Sequence, residues 1–500
     1  MSGASRGEGC QVRDSIEFLL GHQRRSLRGV DPTLTVLDWL RTAEHRKGTK
    51  ESCAEGDCGA CTVVIARPAG GRLDYRAVNA CIQFVPTLDG CQLLTVEDLQ
   101  GADGELHPIQ RALVEAHGSQ CGFCTPGFVM SLFPLWREGR PATRAEIADR
   151  LAGNLCRCTG YGPILSAAER LPDTPGATAH LLEREAEVVR QLEALADGRT
   201  LEVERDGRRF LAPTTLDALA DLLLAHPGAT VLAGSTDVGL WVTKQDRRLE
   251  TIIWIGRVAE LRAIRPGAEA IEIGAGVTCT DGMAALAAEW PDMGEVYRRY
   301  ASPPIRNTAT IGGNIANGSP IGDSAPMLIA AGATLVLRRG KERRELPLED
   351  FFLAYGKQDR RPDELVEALI VPRRRPAQRF RAYKISKRFD QDISAVLGAF
   401  TVTLDGGTVR EARIAYGGMA AIPKRARSAE TALRGRPWDE ATVRAAMVAL
   451  GEDFTPITDM RASAGYRLRV ARNLLFKAWL ETTDPQAETR LVGDRSLTHV

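Results

Sequence analysis

Apolar residues recur along this chain in two rhythms. Between 13 and 97 they come as short runs separated by turns: IEFLL, then TVLDWL at helical spacing, then CTVVIA and QLLTV. Short runs bounded by turns read as strands and the i, i+3, i+4 spacing reads as a helix, so this stretch predicts a small mixed α+β unit with a Cys-rich loop in its middle. Between 107 and 170 the rhythm changes. HPIQRALVEAHG, FVMSLFPLWREG and RAEIADRLAGN carry apolar residues at i, i+3, i+4, i+7 and are broken by Gly and Pro. They predict an all-helical unit.

Residues 171–210 read as a connector. LPDTPGATA is rich in turn formers, and the charges of HLLEREAEVVRQLEALADG alternate in sign as on an exposed helix. From about 211 strands and helices alternate again: DALADLLLAHPGA as a helix, then TVLAG, TIIWIG and EAIEIGAGV as strands. LVLRRGKERRELPLEDFF predicts a strand, a basic turn and a short strand. SAVLGAFTVTLDGGTVREARIAYGGM carries the DGG signal of a hairpin, with helical segments following to 482. No repeat of fixed period and no low-complexity tract interrupts this order.

Composition narrows the class without naming it. The 500 residues are 44% hydrophobic and 26% charged, ordinary for a globular chain of several domains. The net charge of +1 gives no general electrostatic reason to expect nucleic acid or an anionic membrane as partner. The runs RRGKERR and VPRRRP therefore read as solvated turns. No stretch approaches the ~18 uninterrupted apolar residues of a membrane span. The N-terminus MSGASRGEGCQVRDSIEFLL is polar where a signal peptide would be apolar, so a soluble, cytoplasmic protein is expected.

The eleven cysteines change the picture, because ten of them fall before residue 160. Such clustering in a large chain expected in the cytoplasm points to metal binding more than to disulfides. Cys53, Cys58 and Cys61, followed by Cys81, have the C-x4-C-x2-C…C spacing of a plant-type [2Fe–2S] ligand set. Gly56 and Gly59 let the backbone close on such a cluster and offer N–H donors to its sulfides. Structural zinc prefers paired short spacings and fits this set poorly. Cys121, Cys124, Cys156 and Cys158 form a second group on the helical unit, C-x2-C with C-x-C. Four thiolates suit zinc or a second cluster equally. Cys10, Cys91 and Cys279 have no spacing that suggests a role.

Two loops of small polar residues follow. Residues 231–239 (VLAGSTDVG) end a strand in a Gly/Ser/Thr/Asp turn, and 308–323 (TATIGGNIANGSPIGD) form a second loop after SPPIRN. Exposed backbone N–H groups and hydroxyls suit a pyrophosphate, although neither loop is a G-x-G-x-x-G turn.

CAEGDCGACTV, QCGFCTPG and GNLCRCTGY, in that order, resemble the two [2Fe–2S] modules of the molybdenum hydroxylases, the xanthine dehydrogenase and aldehyde oxidase family. The resemblance implies an α+β multidomain chain. A ferredoxin-like β-grasp [2Fe–2S] domain (13–98) would lead to a helical, four-helix [2Fe–2S] domain (99–172) and a linker (173–208). An FAD domain of the vanillyl-alcohol-oxidase type (209–378) and an α+β C-terminal flavoprotein subdomain (379–487) would follow. It implies that all eight clustered cysteines ligate iron. It also implies FAD contacts at Val231, Leu232, Ala233, Gly234, Ser235, Thr236, Asp237, Val238, Tyr300, Thr310, Ile311, Gly312, Gly313, Asn314, Asp323, Val366 and Lys384. Tyr300 stands where the family commonly has Phe, and Ser235 replaces its usual Asn. The charged stretch Lys384–Asp392 (KISKRFDQD) would overlie the flavin face that NAD approaches.

A [2Fe–2S] cluster passes single electrons, a nicotinamide takes a hydride, and a flavin converts between the two. Two clusters and a flavin thus make a wire with a converter at its end, and no catalytic residue for substrate oxidation is visible. The family resemblance places that oxidation on a separate molybdopterin-binding large subunit. The chain would then be the iron–sulfur/FAD subunit of a two-subunit, NAD-reducing enzyme acting on hypoxanthine and xanthine, in a heterotetramer of two small and two large subunits. The corresponding subunit of an aldehyde or azaheterocycle hydroxylase, and a standalone iron–sulfur flavoprotein reductase, are the alternatives.

Overall fold

A computed structural model of the chain describes residues 12–101, 104–171, 184–484, 486, 487 and 489. Cys10 and the first part of the expected connector, 172–183, lie outside the described residues. The chain divides into two compact units, one comprising residues up to 259 together with 302–309, the other 260–301 and 310 onward.

The first unit opens with a five-stranded sheet in the order Gln23–Arg28, Ser15–Leu20, Gln92–Leu94, Thr62–Ala69, Arg72–Asn79. Ser15–Leu20 and Gln92–Leu94 pair in parallel and the other neighbours are antiparallel. Gly70 and Gly71 turn the Thr62–Asn79 hairpin, both at positive φ (57° and 76°), as a tight two-residue turn requires. The helix Val36–Thr42, capped by Thr35, lays Val36, Leu37, Trp39 and Leu40 into the core beneath this sheet. This is the β-grasp arrangement.

Four helices follow: Pro108–Glu115, Thr125–Arg137, Arg144–Leu151 and Gly162–Glu169. The fourth begins with Gly162-Pro163, residues that read locally as a turn, although Pro in the first turn of a helix loses no hydrogen bond. The helices share one core, built on Ile109, Phe128, Leu132, Phe133, Ile147 and Ile164, which also takes Val64 and Leu94 from the sheet.

The expected connector is structured from residue 185. The helix Glu185–Leu195 is not exposed on all sides: Val188, Val189, Leu192 and Leu195 pack on Leu19, Ala66 and Leu73. Its alternating charges conceal an i, i+1, i+4, i+7 apolar stripe. Thr200–Arg205 then enters a second five-stranded sheet, in the order Val12–Arg13, Thr200–Arg205, Arg208–Ala212, Thr251–Trp254, Thr230–Leu232.

The second unit holds a sheet in the order Ile264–Pro266, Ala270–Gly274, Leu365–Pro372, Thr334–Arg339, Glu342–Pro347. RRGKERR does form the turn between its last two strands, but its arginines are paired rather than simply solvated. Arg339 meets Asp363 at 2.8 Å, Arg343 meets Glu367 at 2.8 Å and Arg344 meets Glu364 at 2.7 Å. A further sheet contains the long hairpin Val396–Asp405 and Thr408–Gly417, turned by Gly406-Gly407. The helices Arg427–Leu433, Glu440–Asp453 and Ala464–Thr483 cover it, burying Leu433, Val443, Leu450 and Leu475 against Phe400, Val402 and Ile414.

Candidate functional site

The first thiol set sits on a loop whose backbone is left-handed at Ala54 (φ 53°), Gly56 (78°) and Gly59 (71°). A Cβ on Gly56 would come within 2.7 Å of Ile82, beside Cys81. Cys61 and Cys81 are buried, and Cys53 and Cys58 half-buried. The Cys58 N–H donates to Cys53 Sγ at 3.4 Å, and Asn79 Nδ2 approaches Cys61 Sγ at 3.9 Å. A hydrogen bond from the Cys58 thiol, helped against burial by N–H groups of Glu55, Cys58 and Asp57, brings the Cys53 thiol down to about 5. The Cys81 thiol does the same for Cys61, lowering it against the effect of burial. Both shifts run toward the thiolate, which is the form that ligates metal.

In the second set Cys121 and Cys158 are exposed, Cys124 half-buried and Cys156 buried. The Cys158 and Cys121 sulfurs lie 3.6 Å apart. Tyr161, left-handed at φ 67°, turns its hydroxyl back to accept the Cys156 N–H at 3.1 Å, and Thr159 Oγ1 lies 3.2 Å from Cys156 Sγ. Burial, then the neighbouring Cys156, pushes the Cys124 thiol up to about 12.

Among the described residues, no group of three or more His, Cys, Asp or Glu side chains converges as one metal ion requires. The sulfurs come instead in pairs: Cys53 with Cys58, Cys61 with Cys81, Cys121 with Cys158, Cys124 with Cys156. A tetrahedral zinc wants four ligands about one point. A [2Fe–2S] group spreads four thiolates over two irons, two each, and pairs fit that donor demand.

The two sets touch. The Leu155 N–H, next to Cys156, donates to the Cys58 carbonyl at 3.0 Å. The first set in turn touches the turn after Thr230–Leu232. Gln83 Nε2 donates to the Gly234 carbonyl at 3.0 Å, Thr243 Oγ1 donates to the Ala54 carbonyl at 2.9 Å, and a Cβ on Gly239 would lie 2.7 Å from the Ile82 oxygen. Val231 and Leu232 lie in the strand, Ala233 to Asp237 form the turn, and Val238 starts the helix Val238–Thr243. Gly234 is obligatory, since a Cβ there would stand 1.8 Å from the Thr308 oxygen. Ser235 holds a left-handed φ of 64°, and its hydroxyl is buried without a hydrogen-bond partner. Asp237 is raised by burial against the opposing hydrogen bond of Trp241. An orphaned hydroxyl on a tightly packed turn fits a polar group of a dinucleotide.

The remaining candidates belong to the second unit. Asn314 Nδ2 donates to the Tyr300 hydroxyl at 3.0 Å, and its Oδ1 is buried without a partner. Thr310 caps the helix Ile311–Asn317 by accepting the Gly313 N–H at 2.9 Å. The Ile311 side chain faces the core, against Gly282, so only its backbone is placed for a ligand. Gly312 packs on Ala275, whose N–H donates to the Glu367 carbonyl beside Val366. Asp323 accepts from Lys384 Nζ at 2.5 Å and from Ser394 Oγ at 2.6 Å. Lys384, the first residue of the charged stretch, is a buried cation on the strand Gln378–Ile385, paired with Asp323. Lys387 is the exposed one. Asn154, Gln83 and Ser394 went unnoticed in the sequence, and only the proximity of Asn154 to GNLCRC signalled any of them.

Four family models match the chain: a 2Fe-2S iron-sulfur cluster binding domain over 20–85, a [2Fe-2S] binding domain over 95–169, the FAD binding domain in molybdopterin dehydrogenase over 204–374, and the CO dehydrogenase flavoprotein C-terminal domain over 381–482. They define an iron–sulfur flavoprotein, with two [2Fe–2S] domains ahead of an FAD-binding domain, whose role is electron transfer. The chain belongs to the molybdenum hydroxylase family, that of the xanthine dehydrogenases and aldehyde oxidases. It is 33% identical to the xanthine dehydrogenase of Emericella nidulans over 88% of its own length and 36% of the relative's. To Aldehyde oxidase 1 of Bos taurus it is 29% identical over 93% of the chain and 39% of the relative. The chain therefore spans well under half the length of these curated relatives. Carbon monoxide dehydrogenase from Hydrogenophaga pseudoflava shares 54% of the chain and 94% of its own, at 29% identity and a TM-score of 0.51. No helix among the described residues is long and apolar enough to cross a membrane.

Proposed function

We propose that this chain is the electron-transfer and NAD-reducing subunit of a two-subunit xanthine dehydrogenase. Electrons from purine oxidation on a molybdopterin-binding partner enter at the Cys121–Cys158 set. They pass to the Cys53–Cys81 set and leave through FAD at the turn 231–238. The observation that carries the reading is the unbroken run of contacts through one compact unit. Leu155 and Cys58 join the two thiol sets, and Gln83 joins the first set to Gly234. Exposure gives the run a direction. Cys121 and Cys158 face outward beside exposed Phe123, Leu155 and Tyr161, an apolar surface of the kind a partner subunit covers. When bound, FAD supplies the conversion from single electrons to a hydride; the chain's own residues hold and space the groups.

Expression with and without a molybdopterin-binding partner tests the reading. The pair should reduce NAD with xanthine, and the chain alone should oxidise NADH with an artificial dye yet show no bleaching with xanthine. Bleaching by xanthine in the isolated chain overturns this division of labour. The similarity to an aldehyde oxidase favours one second reading, the same role serving an aldehyde hydroxylase. An aldehyde oxidised in place of xanthine by the assembled enzyme would select it.

A further inference from the structure

The contact between the two thiol sets is closer than side chains permit. A Cβ on Gly127 would lie 2.2 Å from the Gly59 oxygen, and a Cβ on Gly59 would lie 2.3 Å from the Gly153 oxygen. Three backbone segments therefore meet at glycines: the loop Cys58–Cys61, the first turn of the helix Thr125–Arg137 that follows Cys124, and the stretch leading into Cys156. One side chain fills the junction. Asn154 is 4% exposed, donates through Nδ2 to the Gly59 carbonyl at 3.2 Å and approaches Thr62 Oγ1 at 3.4 Å. Its Oδ1 accepts from Ser131 Oγ at 2.6 Å, and its own N–H donates to the Leu151 carbonyl at 3.0 Å.

We propose that Asn154 is a positioning residue for electron exchange between the two clusters, holding the hydrogen bond from Leu155 N–H to the Cys58 carbonyl at the length that makes it the route. This rests on the assignment of the eight cysteines as cluster ligands. Between Cys156 Sγ and Cys58 Sγ every link of that route is covalent except the single 3.0 Å hydrogen bond. Tunnelling through bonds and short hydrogen bonds outruns tunnelling across an open gap, so the spacing at this one link governs the rate. The step is a one-electron transfer in which the donor cluster is oxidised, the acceptor cluster is reduced, and no bond forms or breaks.

An amide suits the position as no close relative of it does. Its NH2 meets a carbonyl and its oxygen meets a hydroxyl, and both exchanges are shielded from water. A carboxylate of the same shape would set a buried negative charge against the Gly59 carbonyl, and an alanine would take the Ser131 hydroxyl's acceptor away and leave the Gly59 carbonyl held from within its own loop alone, by the Thr62 N–H and hydroxyl.

The test uses the full chain with its clusters. Asn154→Asp and, separately, Ser131→Ala, which removes the donor to Asn154 Oδ1, should keep iron content and both EPR signals but slow equilibration between the clusters after flash reduction. We expect about tenfold, the smaller of the losses that follow when a group orienting a metal-ligand segment is removed. The magnetic splitting between the two reduced clusters should shrink in parallel. A merely structural role would lower the melting temperature and leave rate and splitting unchanged, and that result overturns the proposal. If Asn154→Asp sheds iron, Ser131→Ala decides by the same two readouts. Wild-type chain lacking two distinct [2Fe–2S] signals would instead remove the ligand assignment beneath it.

Discussion

The two thiol sets are chemically alike and differently housed. In the first, Cys61 and Cys81 are each 2% exposed and sit within the same core as the β-grasp sheet. In the second, Cys121 and Cys158 stand on the surface, and only Cys156, at 8%, is buried. The first set thus places two sulfurs deep in its core, whereas the second anchors through Cys156 and Cys124 in the helical core of Phe128, Leu132 and Phe133 and leaves its other two outside. The contrast is one of exposure: two sulfurs of one set are open to solvent, whereas the other set has two sulfurs in a core. On the proposed function, the more buried set would relay and the more exposed one receive.

Serine at one ligand of each set tests this most strongly. Cys81→Ser should remove one EPR signal and the irons behind it, and should lower the melting transition by about 10 °C, as a loss on the order of 3 kcal/mol produces. Cys121→Ser should remove the other signal, keep the flavin, and shift melting by a few degrees at most. Equal shifts in calorimetry would show that the two housings do not differ in what they contribute to the fold.

Access to solvent offers a second, smaller contrast. Under an iron chelator, the signal of the Cys121 set should decay before that of the Cys61–Cys81 set, because two of its four sulfurs are exposed. A molybdopterin-binding partner should then protect the outer set and leave the inner one unaffected. Simultaneous loss of both signals in EPR time courses would remove the argument that exposure marks the entry point.

What the sequence could show of this arrangement depended on distance along the chain. The C-x4-C-x2-C loop and the Gly406-Gly407 hairpin are local patterns, and each was legible from its spacing. Asn154 was not, because its partners lie at 59, 62 and 131 and nothing in GNLCRC distinguishes a junction from a turn. The pairing of Lys384 with Asp323 spans 61 residues, so a cation that reads as part of a charged loop turned out to be buried. The helix Glu185–Leu195 carried its signal locally, but the alternating charges drew attention from the stripe at Val188, Val189, Leu192 and Leu195. The return of 302–309 to the first unit, between two stretches of the second, has no local signature at all.

The smallest expected effect concerns acid. Burial alone would raise the Asp31 carboxyl, but the Thr33 N–H at 2.8 Å and the Arg208 guanidinium at 2.5 Å outweigh it and hold Asp31 below its ordinary 3.8. A carboxyl depressed in the folded state adds stability at every pH above 3.8, and that contribution fades as pH falls through the lower folded value. Asp31 ties the β-grasp part to the strand Arg208–Ala212, so the acid-sensitive brace lies on the side of the interior set. Around the outer set the corresponding depressed carboxyl is Glu146, a partly exposed capping residue held by Thr143 and Arg140. Asp31→Asn should therefore lower the unfolding free energy of the first unit, read from urea titration, equally at pH 7 and pH 5, by well under ~1 kcal/mol for a partly exposed pair, and the gap to wild type should narrow by pH 3.5. Glu146→Gln should move it less at each pH. A larger shift from Glu146→Gln would place the acid-sensitive brace on the outer set and reverse the contrast between the two regions.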